Sequence, residues 1–414
     1  MARIVRQLTV LLNDLPVGSL SLDEQSRTEF RLLNSYKNAY PRPVLGQQFL
    51  DDPDRVLAAR TRLPPWFSNL LPEGALRDLL VRQLGSSGAN EFLFLQSLGD
   101  DLPGAVRLVA DANDSGLSEA VLMGLAEHPG ASPLAADETW HFSLAGVQLK
   151  FSALRSDRGL TIPASGRGGD WIVKFPDPRF AEVPRNEFAT MQWARASGIE
   201  VPEIALHDLI DIEGLPRSLG PWSETQVLAV RRFDRPEPSR RVQIEDFTQV
   251  LGLYPDEKYG KANFEMVAKL AYSLTGIDGL RQTVRRLVFM LACGNGDAHL
   301  KNWSLIYPDG LVAMVSPSYD LVSTVQYLPD DSLALNLGKS KAWAAMRAES
   351  FLRLARQIGV DETVMAGWVE AACEAIWAAW HLGASEFGYD AHARSLMARH
   401  ARRVPLFDRW RRPA

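Results

Sequence analysis

The pattern of apolar and polar positions changes along the chain. Near the N-terminus, the apolar runs 8–12 and 17–22 flank Asn-Asp-Leu-Pro and predict a β-hairpin. Further short apolar runs predict strands at 142–153, 171–175 and 227–230. Helical spacing of apolar residues, closed by a glycine, predicts helices at 75–84 and 186–197. Beyond Pro236 this spacing predominates, at 264–274, 280–293, 343–358 and 364–382. The pattern predicts an α+β protein with a mostly helical C-terminal half.

The length and composition indicate a soluble protein of several domains. The chain has 414 residues, of which 46% are hydrophobic and 23% charged, as in average globular proteins. A stretch at 125–139 rich in Ala, Pro, Gly and acidic residues predicts one boundary, and the change after Pro236 predicts another. We therefore expect domains at 1–125, 126–235 and 236–414.

Charge and cysteine content exclude several classes of protein. The net charge of −5 argues against a surface that wraps nucleic acid as a whole, although a local basic patch could still exist. The Arg-rich tail from 394 onward is typical of a solvated helix face, and contact with phosphates is the alternative. Two cysteines cannot build a disulfide framework. The longest apolar stretch, 287–293, is too short to span a bilayer, and no signal peptide is evident. We expect a cytoplasmic protein. Neither a zinc-type histidine pair nor a serine-hydrolase elbow occurs in the sequence.

The segment from Gly294 to Ser304 carries the most informative chemistry. It follows an apolar helix pattern and places Asp297 five positions before Asn302. This spacing matches the catalytic loop of protein kinases, in which the Asp accepts the proton of the substrate hydroxyl and the Asn holds a metal ion. Asn, Gly and Asp are also ordinary turn residues, so that a polar turn without catalytic function is the alternative.

A second acidic residue, Asp320, lies in the segment 314–321 (MVSPSYDL), after a short strand pattern. Mg²⁺ prefers carboxylate and amide oxygens, so that Asp320 and Asn302 could together supply two ligands to a hydrated ion. The alternative is an Asp that caps a helix. The neighbouring loop motif favours the metal ligand.

Two upstream features could hold a nucleotide. Lys174 is a lone cation in a β-type run, where a kinase lysine would reach the phosphates, but many strand lysines are simply solvated. Glu187 could pair with Lys174 or could stabilise the N-terminus of its own helix. The pair Ala145-Gly146 would let backbone N–H groups approach phosphate oxygens, although such a pair is more often a β-bulge.

Six motifs in this order resemble one known family. They are 143–150 (SLAGVQLK), 172–176 (IVKFP), 186–188 (NEF), 232–235 (RFDR), 295–302 (NGDAHLKN) and 318–320 (SYD). The N-terminal segments 66–74 (WFSNLLPEG) and 99–106 (GDDLPGAV) agree as well. The sequence resembles the HipA family of bacterial toxin serine/threonine kinases over nearly its whole length. The resemblance implies a two-lobed, protein-kinase-like fold with an extra N-terminal α/β subdomain and a mostly helical C-terminal lobe.

The resemblance also implies the cofactors ATP and Mg²⁺ and a role for each site residue. Asp297 would be the catalytic aspartate, while Asn302 and Asp320 would hold the metal. The nucleotide would contact a phosphate loop, a lysine, a hinge and the catalytic segment: Ala145, Gly146, Val147, Gln148, Leu149, Lys150, Lys174, Arg231, Arg232, Phe233, His299, Asn302 and Asp320. Family members carry Glu where Arg231 stands, so that we expect a backbone contact at this position.

Family properties extend to regulation and partners. Ser143 matches the serine that the family autophosphorylates, and a phosphate there would add about −1.5 to −2 charges beside the ATP phosphates and expel the loop. The alternative is a strand serine without a role. The family further implies a HipB-like helix-turn-helix antitoxin, operator DNA contacted mainly through that antitoxin, and an aminoacyl-tRNA synthetase as substrate, which nothing in the sequence identifies.

Two other functions stay open at this point. Small-molecule phosphotransferases of the aminoglycoside-kinase type also carry an Asp and an Asn five positions apart, although this chain has Asn295-Gly296-Asp297 in place of their His-x-Asp pattern. A catalytically quiet corepressor, docked on a DNA-bound antitoxin, is the second alternative. The set of Lys174, Asp297, Asn302 and Asp320 favours an active kinase.

Overall fold

The computed structural model describes residues 4–74, 76–78, 81, 90–110, 149–156, 159–163, 168–215, 222, 224–237, 239–328 and 330–410. The predicted α+β class is confirmed, with three sheets and predominantly helical structure towards the C-terminus. Most of the predicted helix at 75–84, the first part of the strand at 142–153 and the first domain boundary lie outside the described residues. The three predicted domain ranges stay predictions.

An antiparallel sheet forms the N-terminal part. Its strands are β1 (Ile4–Leu12), β2 (Leu15–Asp23), β3 (Arg27–Leu32), β4 (Leu57–Arg60) and β5 (Val106–Ala110), in the order β4-β3-β2-β1-β5. The predicted hairpin is the β1–β2 pair, in which Leu8 lies opposite Leu20. The short helices Asn34–Lys37, Gln47–Asp51, Pro65–Ser68 and Glu91–Leu98 accompany the sheet.

The second sheet has the order β10-β7-β6-β8-β11-β9. Its strands are β6 (Lys150–Ser156), β7 (Gly159–Thr161), β8 (Trp171–Lys174), β9 (Ile204–Asp208), β10 (Ile212–Glu213) and β11 (Gln226–Arg231). Successive side chains of β11 point to opposite faces, as in any strand. Val227 and Ala229 therefore join the core shared with the N-terminal sheet, whereas Leu228 and Val230 join the core of the C-terminal half. The sheet thus lies between the two hydrophobic cores.

Helices surround a small sheet in the C-terminal half. This sheet comprises β12 (Gln243–Asp246), β13 (Ser304–Tyr307) and β14 (Met314–Val315). The helices of this half and of the preceding lobe are Val183–Ala196, Phe247–Leu251, Phe264–Cys293, Ala348–Ile358, Glu362–Gly383 and Ala391–Arg403. The two helices predicted at 264–274 and 280–293 form one element, interrupted by non-helical backbone at Gly276.

Neither membrane spans nor disulfides are found in the described part of the chain. None of its helices is both long and apolar enough to cross a bilayer. Cys293 and Cys373 are buried free thiols.

Candidate active site

The segment after helix Phe264–Cys293 places Asp297 among the residues that line a cleft. The Asn295 side chain accepts a hydrogen bond from the Asp297 N–H at 2.9 Å. The Asp297 carbonyl oxygen accepts two more, from the His299 N–H at 2.7 Å and from Asn302 Nδ2 at 3.0 Å. The five-residue spacing therefore has a physical meaning, because Asn302 fixes the backbone from which the Asp297 carboxylate projects.

The Asp297 carboxylate faces the cleft and is exposed. Its Oδ1 accepts a hydrogen bond of 2.6 Å from the Tyr259 hydroxyl. Partial withdrawal from bulk water raises the pKa of Asp297 above its ordinary value, while the hydrogen bond from Tyr259 opposes this shift. A carboxyl group with a raised pKa is a stronger proton acceptor once it is ionised.

Three elements that are far apart in the sequence meet at Lys174. Its Nζ lies 2.5 Å from Glu187 Oε1 and also contacts the carboxylate of Asp320. Of the two interpretations of Glu187, the structure therefore supports the ion pair. Lys174 and Glu187 are buried, whereas about a third of the Asp320 side chain (32%) is exposed.

Charge balance keeps Lys174 and Asp320 ionised, whereas burial raises the pKa of Glu187 above its ordinary value. Burial acts to lower the pKa of Lys174, but the two carboxylates outweigh it and raise the pKa above its ordinary value. Burial acts to raise the pKa of Asp320, but Lys174 and Lys150 outweigh it and hold the pKa well below its ordinary value. Asp320 also has a left-handed backbone, with a φ of 53° that non-glycine residues seldom adopt.

The predicted phosphate loop is only partly described. Ser143, Ala145, Gly146, Val147 and Gln148 lie outside the described residues.

The two loop residues that are described lie at the start of β6. The Leu149 carbonyl accepts the Phe175 N–H at 3.0 Å, and Lys150 pairs with Lys174 across β6 and β8. Lys150 is buried, and this burial lowers the pKa of its amine.

In the hinge after β11, the side chains of Arg231 and Arg232 make different contacts. Arg231 is exposed and lies 3.4 Å from Glu203. The buried Arg232 guanidinium instead binds both carboxylate oxygens of Asp234, at 3.0 and 2.9 Å, and Asp101 of the N-terminal part at 3.0 Å. The Arg232 side chain is thereby committed to the protein, and its backbone N–H donates to the Asp170 carbonyl at 2.8 Å.

One cleft of about 780 Å³ is lined by all the described residues of the predicted site except Leu149. Its volume is within the ~300–1,000 Å³ typical of ligand and cofactor sites. Of the residues predicted from the sequence, the cleft is lined by Lys150, Lys174, Arg231, Arg232, Phe233, Asp297, His299, Asn302 and Asp320. Burial lowers the pKa of His299 to about 3, so that its imidazole is neutral at physiological pH.

The sequence did not reveal that the N-terminal part contacts the segment that carries Asp297. Glu73 lies 2.7 Å from both Lys258 Nζ and Lys301 Nζ, an arrangement that we call the Glu73 cluster. Burial acts to raise the pKa of Glu73, but the two lysines outweigh it and lower the pKa to about 2. Lys301 also donates to the Asn69 carbonyl at 3.2 Å. Both Asn69 and Glu73 belong to the N-terminal motif 66–74. This motif was the signal in the sequence that could have pointed to the contact.

A second contact between the same parts involves the hinge. Asp234 accepts hydrogen bonds from Arg235 Nη1 and from the Gly104 N–H, each at 2.8 Å. Together with Asp101 and Arg232, we call this the hinge cluster. Its N-terminal members come from the other N-terminal motif, 99–106.

Comparison with known proteins identifies the family. The model for the HipA-like C-terminal domain matches residues 142–380, and the model for the HipA N-terminal domain matches residues 8–109. The chain belongs to the HipA family. The resemblance inferred from the ordered motifs is thereby confirmed.

Curated relatives of this HipA-family chain are named as kinases. A protein of Sinorhizobium fredii named "Putative kinase Y4dM" is 40% identical over 97% of this chain and 98% of its own length. A second protein of that organism, "Putative kinase Y4mE", is 33% identical over 73% of this chain and 74% of its own length.

A solved structure confirms the fold. HipA from Shewanella oneidensis, in a complex with HipB and its operator DNA, matches with a TM-score of 0.69 and 22% identity. The match covers 96% of this chain and 95% of that chain. The two-lobed, kinase-like fold with an added N-terminal subdomain is therefore present in this chain.

Proposed function

We propose that this protein is an ATP-dependent serine/threonine protein kinase. The observation that carries the proposal is the convergence of two groups in one cleft: Asp297 with Asn302, and Lys174 with Glu187 and Asp320. Phosphoryl transfer depends mainly on positioning and charge stabilisation, and these groups supply both.

Asp297 would act on the acceptor. Its carboxylate is open to the cleft and can accept the proton of a serine or threonine hydroxyl as that oxygen bonds to the γ-phosphorus of ATP. The bond between the γ-phosphorus and the β–γ bridging oxygen breaks, and ADP leaves with its electron pair. Asn302 keeps the carboxylate at a fixed position through the Asp297 carbonyl.

The residues present fit a nucleotide and a magnesium ion. Asp320 is ionised and partly open to the cleft, and Asn302 lines the same cleft. No cluster of three or more His, Cys, Asp or Glu ligands exists among the described residues, so that phosphate and water oxygens would complete the coordination of Mg²⁺. Bound Mg²⁺ would offset charge on the phosphates. Lys174 would contact the phosphates, and the hinge backbone from Arg231 to Phe233 would contact the adenine.

We further propose that the kinase is the toxin of a toxin–antitoxin pair. Membership of the HipA family supports this role, as does the solved relative, which is in a complex with HipB and operator DNA. The partner would be a HipB-like antitoxin, with DNA contacted mainly through it. The substrate would be a translation component such as an aminoacyl-tRNA synthetase, and Ser143 would be the site of autophosphorylation.

The decisive experiment replaces Asp297 with Asn. With radiolabelled ATP, Mg²⁺ and bacterial lysate proteins as acceptors, we expect transfer to fall by at least ~100-fold, the scale of lost general-base catalysis. Toxicity on induction in cells should disappear in parallel. An unchanged circular dichroism spectrum and melting midpoint would show that the variant is folded. Toxicity that persists in a folded Asp297→Asn chain would refute the proposal.

The two alternative functions make different predictions. A small-molecule phosphotransferase would turn over ATP with amino-alcohol acceptors but not with proteins. A quiet corepressor would show neither reaction, and the salt dependence of its association with antitoxin-bound DNA would reveal its role.

A further inference from the structure

Tyr259 contacts the catalytic carboxylate without belonging to any motif that the sequence singled out. Its hydroxyl donates to Asp297 Oδ1 at 2.6 Å, while its ring stands edge-on to His299, with 5.0 Å between ring centroids and an interplanar angle of 87°. The side chain lines the cleft. About two fifths of Tyr259 (41%) is exposed, so that these two contacts, and not burial, hold the hydroxyl in position.

The residue before Tyr259 anchors it to the N-terminal part of the chain. Lys258 Nζ is bound by Glu73 at 2.7 Å and lies 5.6 Å from the Tyr259 ring centroid. The Lys258 carbonyl accepts the Leu300 N–H of the catalytic segment at 3.3 Å. Tyr259 is therefore tied both to the Glu73 cluster and to the segment that carries Asp297.

We propose that Tyr259 is a positioning residue, which holds Oδ1 of Asp297 so that Oδ2 faces the acceptor hydroxyl. Within the described part of the chain, no hydrogen bond engages Oδ2, and the carboxylate is open to the cleft. The inference rests on the proposed kinase function. In the reaction, Oδ2 takes the acceptor proton, and Tyr259 keeps its own proton throughout. Without the hydroxyl, the carboxylate can rotate about its terminal torsion, which is soft.

The test compares Tyr259→Phe with Tyr254→Phe in the full-length chain. Tyr254 lies in the same segment, but its ring packs under the Arg62 guanidinium at 4.0 Å. The probe is radiolabelled ATP with Mg²⁺ and bacterial lysate proteins as acceptors. We expect Tyr259→Phe to lower the rate at saturating ATP about 10- to 100-fold, the range for a lost hydrogen bond to a charged group. The KM for ATP should stay within about twofold, and Tyr254→Phe should match the wild type.

Each other outcome has a definite meaning. A faster Tyr259→Phe enzyme would show that the tyrosine blocks the acceptor position, and phosphate found on Tyr259 by mass spectrometry would show that it is itself an acceptor; either result overturns the positioning role. If the wild type is active and Tyr259→Phe has the same rate, the positioning role alone is overturned. A wild-type chain without any transfer overturns the kinase function and the positioning role with it.

Discussion

Replacing Glu73 with Gln removes the one carboxylate that holds two lysines in the Glu73 cluster. The shift of the Glu73 pKa from 4.5 to about 2 corresponds to about 3 kcal/mol of differential interaction, at ~1.36 kcal/mol per pKa unit. The loss of one partner from a buried ion pair costs about 3–5 kcal/mol by general experience, which agrees. We therefore expect Glu73→Gln to lower the free energy of unfolding by about 3 kcal/mol at pH 7.

The effect must also depend on pH with a definite sign. The folded-state pKa of Glu73 lies below its ordinary value, so that its stabilisation is fully present above pH 4.5 and is lost as the pH falls towards 2. Urea denaturation followed by tryptophan fluorescence gives the unfolding free energies of both proteins. Their difference should be constant from pH 8 to 5 and should shrink below that.

A matched control is Glu203→Gln, because Glu203 also faces two cations, in this case Arg155 at 3.1 Å and Arg231 at 3.4 Å. Its side chain is half exposed, and surface ion pairs contribute at most about 1 kcal/mol. We expect little change in this variant. A Glu73→Gln protein as stable as the Glu203→Gln protein at pH 7, or equally destabilised at every pH, would refute the reasoning.

Three further predictions concern the site and the hinge cluster. Lys174→Met should weaken Mg²⁺-ATP binding at least ~10-fold by calorimetry, since hydrogen bonds between charged groups contribute about 1.5–3 kcal/mol; unchanged affinity would exclude a phosphate contact. Asp234→Asn leaves two buried arginines short of a counter-charge, so that urea denaturation should show a loss of about 3–5 kcal/mol; a loss below about 1 kcal/mol would contradict this. Gly104 has a φ of +75°, and the Cβ of a Gly104→Ala variant would lie 2.7 Å from a glutamine side-chain oxygen. We expect the free energy of unfolding to fall by about 1–3 kcal/mol, which a lower thermal midpoint would show.

Features that lie within a single segment could be predicted from the sequence. The Asp297–Asn302 spacing predicted a pair, and the structure shows the two residues joined through the Asp297 carbonyl. Periodicity likewise predicted the β1–β2 hairpin and the helix before the catalytic segment. Gly276, with a φ of 71°, divided that helix into two patterns because a single non-helical residue breaks the spacing of apolar positions.

Contacts between distant segments could not be predicted from spacing. Lys174 and Asp320 are 146 positions apart, and Glu73 and Lys258 are 185 apart. Glu187 had two equal interpretations until the fold placed it beside Lys174. Tyr259 carries no local signal at all, because its role depends on the path of the chain around the cleft. The resemblance to a family supplied the N-terminal motifs, but their physical purpose became evident only from the two ion clusters.

The paired charges of the hinge and Glu73 clusters have a consequence for how the chain can be divided. Arg232 and Lys301 are each buried, and each depends on carboxylates that precede the segment 111–148. Trp66 similarly donates to Glu245 across the same boundary. Expressing residues 149–410 alone would leave Lys301 without Glu73, and would leave Arg232 with Asp234 but without Asp101. The C-terminal half therefore shares buried ion pairs with the first hundred residues, which complete its interior.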